Sequence, residues 1–112
     1  MQSSSATVTT FAERSFQLGT GRVTYVDESL LGPASQVSPK EDLLQIQFTE
    51  RLVVDAGWYS GIRQFRVLVV QDHDWQDPIF SENARNVGTL LDAIERAIAF
   101  AERRVEALPS SG

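Results

Sequence analysis

The sequence predicts an α+β domain: an antiparallel sheet of about four strands, formed by two consecutive hairpins, packed on one C-terminal amphipathic helix in the order β-β-β-β-α. Three observations predict it. Residues 87–108 repeat apolar side chains at helical spacing. Residues 7–71 hold runs rich in Thr, Val, Ile and Phe with polar residues interleaved, the pattern of half-buried strands. Glycine-bearing breaks at 19–21 and 55–57 divide these runs where hairpin turns would fall.

The first strand is expected over residues 7–18. Val8, Thr10, Ala12, Phe16 and Leu18 share one parity there, interrupted by Arg14. Gly19-Thr20-Gly21 supplies glycines able to take the positive φ of a tight turn. It lacks the lysine and the following helix of a phosphate-binding loop, so that reading is rejected. Residues 22–27 are the expected return strand. Residues 28–42, with Gly32-Pro33, Pro39 and several serines, read as a long flexible connection.

Residues 43–54 and 58–71 read as a second hairpin around Asp55-Ala56-Gly57. Pairing Phe48 with Phe65, Ile46 with Val67, Leu44 with Val69 and Glu50 with Arg63 gives aromatic, aliphatic and opposite-charge pairs on one face. The other face then carries Gln45, Gln47, Thr49, Arg51, Gln64 and Arg66. Residues 72–80 are an irregular crossing to the helix. Ser81-Glu82-Asn83 is a candidate first helical turn, and Asn86 a second candidate cap.

The helix is the clearest element. Val87, Leu90, Leu91, Ile94, Ala97, Ile98, Ala101, Val105 and Leu108 form one stripe. Asp92 precedes Arg96 by four positions, a stabilising spacing. Arg103 and Arg104 suit the C-terminal end of the helix dipole, and Pro109 stops the helix. Phe100 lies off the stripe, about 120° from Ile94 at 100° per residue, and marks a candidate second contact surface.

The chain has 112 residues, which fits one domain over 1–112 with flexible ends at 1–5 and 109–112. It has no cysteine, which excludes disulfides and thiolate metal sites. The start has no basic-then-apolar signal pattern, and no run approaches the roughly 20 apolar residues of a membrane span. The expectation is a soluble, cytoplasmic protein without membrane association. Ten basic residues, nine of them arginine, face fifteen acidic ones for a net charge of −5. That balance argues against general affinity for nucleic acid, which needs a basic face.

Few residues invite chemistry. Asp72, His73, Asp74 and Asp77 gather three carboxylates and the single histidine, a weak candidate for a metal or acid–base site. Calcium loops need a defined ligand spacing with a glycine, and zinc needs more histidine or cysteine; solvated loop acids are the simpler reading. Trp58, Tyr59 and Trp75 are candidate interface anchors or edge-of-core packing. Trp58 and Tyr59, adjacent on a strand, must point to opposite sides. The polar face with Gln47, Arg51 and Arg66 is a candidate interaction surface. The element order resembles that of small single-stranded-DNA-binding coactivator domains. No residue motif accompanies that likeness, and no family follows from it.

The expected function is a small non-enzymatic, regulatory interaction module for a protein partner, acting as a homodimer, with no cofactor. Interaction residues are expected at Gln47, Arg51, Arg66, Trp58, Trp75 and Phe100. Metal- or small-molecule-dependent activity at the 72–77 loop and single-stranded nucleic-acid binding through the polar sheet face are the alternatives.

Overall fold

The computed structural model describes residues 7–107. Seven strands precede the helix: β1 (Thr7–Phe11), β2 (Arg14–Gly19), β3 (Arg22–Val26), β4 (Leu44–Thr49), β5 (Leu52–Tyr59), β6 (Gln64–Gln71) and β7 (Phe80–Ala84), then α1 (Val87–Ala107). The class is α+β, as expected, but seven strands stand where four were predicted. β1 and β2 form a two-stranded sheet. The other five form an antiparallel meander in the order β3-β4-β5-β6-β7, and α1 packs across the β4–β7 side.

Each added strand has a local cause. The run 7–18 breaks at Ala12-Glu13, where both residues take positive φ, 53° and 67°. A two-residue link with both φ positive matches the twist of paired strands. Neither residue is a typical turn former. The turn is fixed from outside, because Ala12 is buried and its N–H donates to the Leu30 carbonyl at 2.7 Å.

Gly19 takes the expected positive φ of 62°. Yet the 19–21 turn does not close a hairpin: it carries the chain from the small sheet into β3, which pairs with β4. Glu102 of α1 holds this turn, accepting from Thr20 N–H (3.1 Å) and Thr20 Oγ1 (2.7 Å). The positive φ favours glycine at position 19, and a Cβ there would displace the Glu102 carboxylate, which lies 2.0 Å away.

The expected long hairpin is three strands. The turns fall at Glu50-Arg51 and at residues 60–63, while residues 55–57 lie inside β5. β4 pairs with β5 (Ile46 opposite Val54), and β5 with β6 (Val54 opposite Val69, Trp58 opposite Phe65). The Phe48–Phe65, Ile46–Val67 and Leu44–Val69 pairs are therefore not formed. Their shared facing survives, because all six side chains are buried in one core. Gly57 misled because its purpose is close approach. A Cβ there would lie 1.8 Å from the Glu41 carbonyl oxygen, where residues 40–43 cross β5. Trp58 N–H to Lys40 O (2.8 Å) and Leu43 N–H to Ala56 O (3.0 Å) bracket that crossing.

Residues 28–42 are not an open loop. Two short 3-10 turns, Glu28–Leu30 and Ala34–Gln36, fold the segment, and Leu30 is fully buried. Asp27, itself buried, caps the first by accepting from Ser29 N–H at 3.0 Å, and Lys40 Nζ pairs with it at 3.4 Å.

Ser81-Glu82-Asn83 belongs to β7, paired with β6, and does not start the helix. Asn86 is the cap: its Oδ1 accepts from Thr89 N–H at 2.9 Å. Of the predicted stripe, Leu90, Leu91, Ile94, Ala97, Ile98 and Ala101 are buried, joined by Ala93. Leu108 and Pro109 lie outside the described residues. The Asp92–Arg96 bridge gives way to longer-range pairs: Asp92 accepts from Arg14 Nη1 at 2.8 Å, and Arg96 binds Glu82 of β7. Among the described residues no helix is long and apolar enough to cross a membrane.

Candidate binding face

Alternation along each strand divides the five-stranded sheet into two sides. Leu44, Ile46, Val54, Ala56, Val67 and Val69 lie on the side of α1 and are essentially inaccessible. The opposite side carries Tyr25 of β3, Gln45 and Gln47 of β4, Val53, Asp55 and Tyr59 of β5, and Gln64, Arg66, Leu68 and Val70 of β6. This side is more apolar at β6 than the sequence suggested. Leu68 and Val70 are buried there without belonging to the helix-side core.

The most developed feature of this open side is a trough at the end where residues 40–43 cross. Two adjoining recesses share Asp42 and Asp55. One, about 370 Å³, continues past Trp58, Tyr59, Gly61 and Ile62. The other, about 350 Å³, continues past Tyr25, Leu44 and Gln45. Both volumes fall in the range of about 300–1,000 Å³ typical of small-ligand sites. The close approach at Gly57 builds the trough, because it lets the 40–43 backbone lie against β5 and brings Asp42 beside Asp55.

Asp55 is half-buried. Burial pushes its carboxyl above the ordinary value of 3.8, the charge of Asp42 pushes it further, and the Gln45 amide, donating at 3.5 Å, pulls the other way. The Tyr59 phenol is also raised. Burial is the main cause, then the negative charge of Asp55, opposed by Arg66. Asp42 thus acts on both groups by its charge, and Arg66 opposes it at Tyr59. The Arg66 guanidinium lies 5.4 Å from the Tyr59 ring centroid and donates to Asn83 Oδ1 at 3.2 Å. Lys40, the cation nearest in sequence, is engaged with Asp27.

Of the residues singled out from the sequence, Gln47, Arg51, His73 and Trp75 line one recess, and the others do not join it. Arg51 sits in the exposed β4–β5 turn and binds Asp72, its Nη2 donating to Oδ2 at 3.2 Å; that hydrogen bond first, and the guanidinium charge with it, lowers the Asp72 carboxyl. His73, Asp74 and Asp77 are exposed. Among the described residues no group of three or more His, Asp or Glu side chains is placed to hold a metal ion. Trp75, 45% exposed, shares a small recess of about 110 Å³ with Gln47, Arg51, Val70 and His73. Trp58 falls on the helix-side parity, opposite to Tyr59, and meets Phe65 edge-on at 5.0 Å. Phe100 is half-buried with its ring 5.3 Å from Phe80.

Sequence reasoning missed Asp42, Asp55 and Tyr25 as neighbours. One signal was available: Asp55 is a lone charge inside the strand-like run Leu52-Val53-Val54-Asp55-Ala56. A charge in such a run either faces solvent or is held for a purpose. Comparisons with protein-family models, with curated proteins and with solved structures found no match for this chain.

Proposed function

We propose that this protein is a small non-enzymatic interaction module that binds a protein partner through the sheet side facing away from α1. The observation that carries the reading is the composition of that side: aromatic rings, amides and a desolvated carboxylate around a concave trough at its edge. Contact surfaces are enriched in such aromatics, with polar groups that set register. The negative trough and the net charge of −5 favour a basic partner and disfavour phosphate backbones.

The test is affinity capture from a lysate of the source cells after nuclease treatment, with the wild-type protein and two variants. Tyr25→Asp alters the proposed face at a residue 45% exposed, and its fold is checked by circular dichroism before capture. Arg103→Asp alters an exposed position on α1. A nuclease-resistant protein retained by wild type and Arg103→Asp but lost with Tyr25→Asp is the expected result. Retention by Tyr25→Asp, or recovery of nucleic acid alone, overturns the reading. A second copy of the chain as sole partner replaces it with self-association.

A further inference from the structure

We propose that the trough between Tyr25 and Tyr59 receives an arginine side chain of the partner, with Asp55 and Asp42 as its counter-charges. The inference rests on the interaction reading above and names the chemistry recognised. Carboxylates alone define no site. What makes one here is their position: Asp42 and Asp55 lie where two recesses meet on an unpartnered sheet face, with an aromatic residue in each arm. Rings in the walls and carboxylates at the centre are complementary to a cation, which gains from the ring faces and the charges together.

The cation that fits is planar. Asp55 is half-buried, so an incoming group must lose water, and guanidinium is more weakly hydrated than ammonium. The carboxylate accepts a forked donor, and a tyrosine ring stacks on a flat one. The fold already contains one such contact, Arg66 over Tyr59 at 5.4 Å. Among the described residues no cation is paired with Asp55, and its hydrogen-bond partner is the neutral Gln45 amide, at the long distance of 3.5 Å. Contrast Asp27, which has both a backbone N–H and a lysine. Asp55 keeps acceptor capacity for a ligand.

The experiment titrates the full-length protein, labelled with nitrogen-15, with four synthetic peptides. They are Gly-Ser heptapeptides bearing arginine, lysine, citrulline or glutamate at the centre. Backbone amide shifts are followed by NMR. The arginine peptide is expected to move the amides of residues 42, 55, 57 and 59 saturably. Citrulline, isosteric but neutral, is expected to bind at least tenfold more weakly, and glutamate not to bind. Asp55→Asn is expected to lose about tenfold in affinity with the remaining spectrum in place, while Asp74→Asn binds as wild type. Absence of shifts, equal binding of citrulline, or undiminished binding by Asp55→Asn overturns the proposal. Lysine binding as tightly as arginine overturns the guanidinium assignment. Should the peptides fail while partner capture still depends on Tyr25, the arginine falls and the interaction module stands. Loss of the Tyr25 dependence removes the module itself.

Discussion

Asp27, which leads into the 28–42 segment, and Asp55 of β5, against which the end of that segment lies, have opposite electrostatic settings. Asp27 is buried, yet hydrogen bonds from Ser29, with Lys40 beside it, hold its carboxyl below the ordinary value. The Asp55 carboxyl is raised, because burial and the charge of Asp42 outweigh the Gln45 amide. The segment joining β3 to β4 serves both. Its Lys40 neutralises Asp27, and two residues later its Asp42 adds a like charge beside Asp55. The first arrangement stabilises the fold. The second works against it.

The largest expected effect breaks both regions together. Gly57→Val places side-chain atoms where the Glu41 carbonyl lies, 1.8 Å from a Cβ, so the 40–43 segment must move and take Lys40 and Asp42 with it. A loss of about 3 kcal/mol or more is expected in urea unfolding. A loss under about 1 kcal/mol would mean that the crossing is not fixed by this contact.

Removing only the satisfied aspartate comes next. Asp27→Ala strips the acceptor of Ser29 N–H and the partner of Lys40, for a loss of about 1–3 kcal/mol. The pH dependence sharpens the point. A lowered folded-state pKa means stability that is present above the unfolded value, near 3.8, and lost as pH falls through the folded one. Asp27→Asn should therefore flatten the acid limb of the unfolding-midpoint profile. An unchanged limb would assign acid lability to other groups.

The smallest effect has the opposite sign. Asp55→Asn is expected to stabilise by on the order of 0.5 kcal/mol at neutral pH. A raised folded-state pKa opposes folding once the group ionises. Its contribution is most favourable below about 3.8 and is lost as pH rises through the folded value. The variant should remove that decline, measured by thermal midpoints between pH 3 and 7 on the ~1 kcal/mol scale of such linkages. Destabilisation at neutral pH would show that Asp55 serves the fold and not a ligand.

Much of the helix was legible. Its stripe, its cap at Asn86 and its burial against the sheet follow from spacing and capping chemistry that act within a few residues. The strands were legible as facing but not as pairing. Leu44, Ile46, Phe48, Phe65, Val67 and Val69 face the core in either register, because alternation fixes side and not partner. The β1–β2 turn was illegible, since Ala12-Glu13 acquires positive φ through a hydrogen bond to Leu30, eighteen residues later. The trough was illegible for the same kind of reason. Asp42 and Asp55 stand thirteen positions apart, joined by a strand turn misplaced in the sequence reading, and Tyr25 comes from yet another strand.

By itself the sequence determined what depends on near neighbours and composition: the α+β class, the apolar stripe of α1, the alternation of each strand and the negative balance. Tertiary structure alone decided which strands pair, that Gly57 is a crossing point and not a turn, and that Asp55 shares its recesses with two tyrosines on the open face. The physical reason is range. Periodicity and capping are set within one or two turns of chain, whereas pairing, close approach and desolvation depend on residues that only the folded chain brings together.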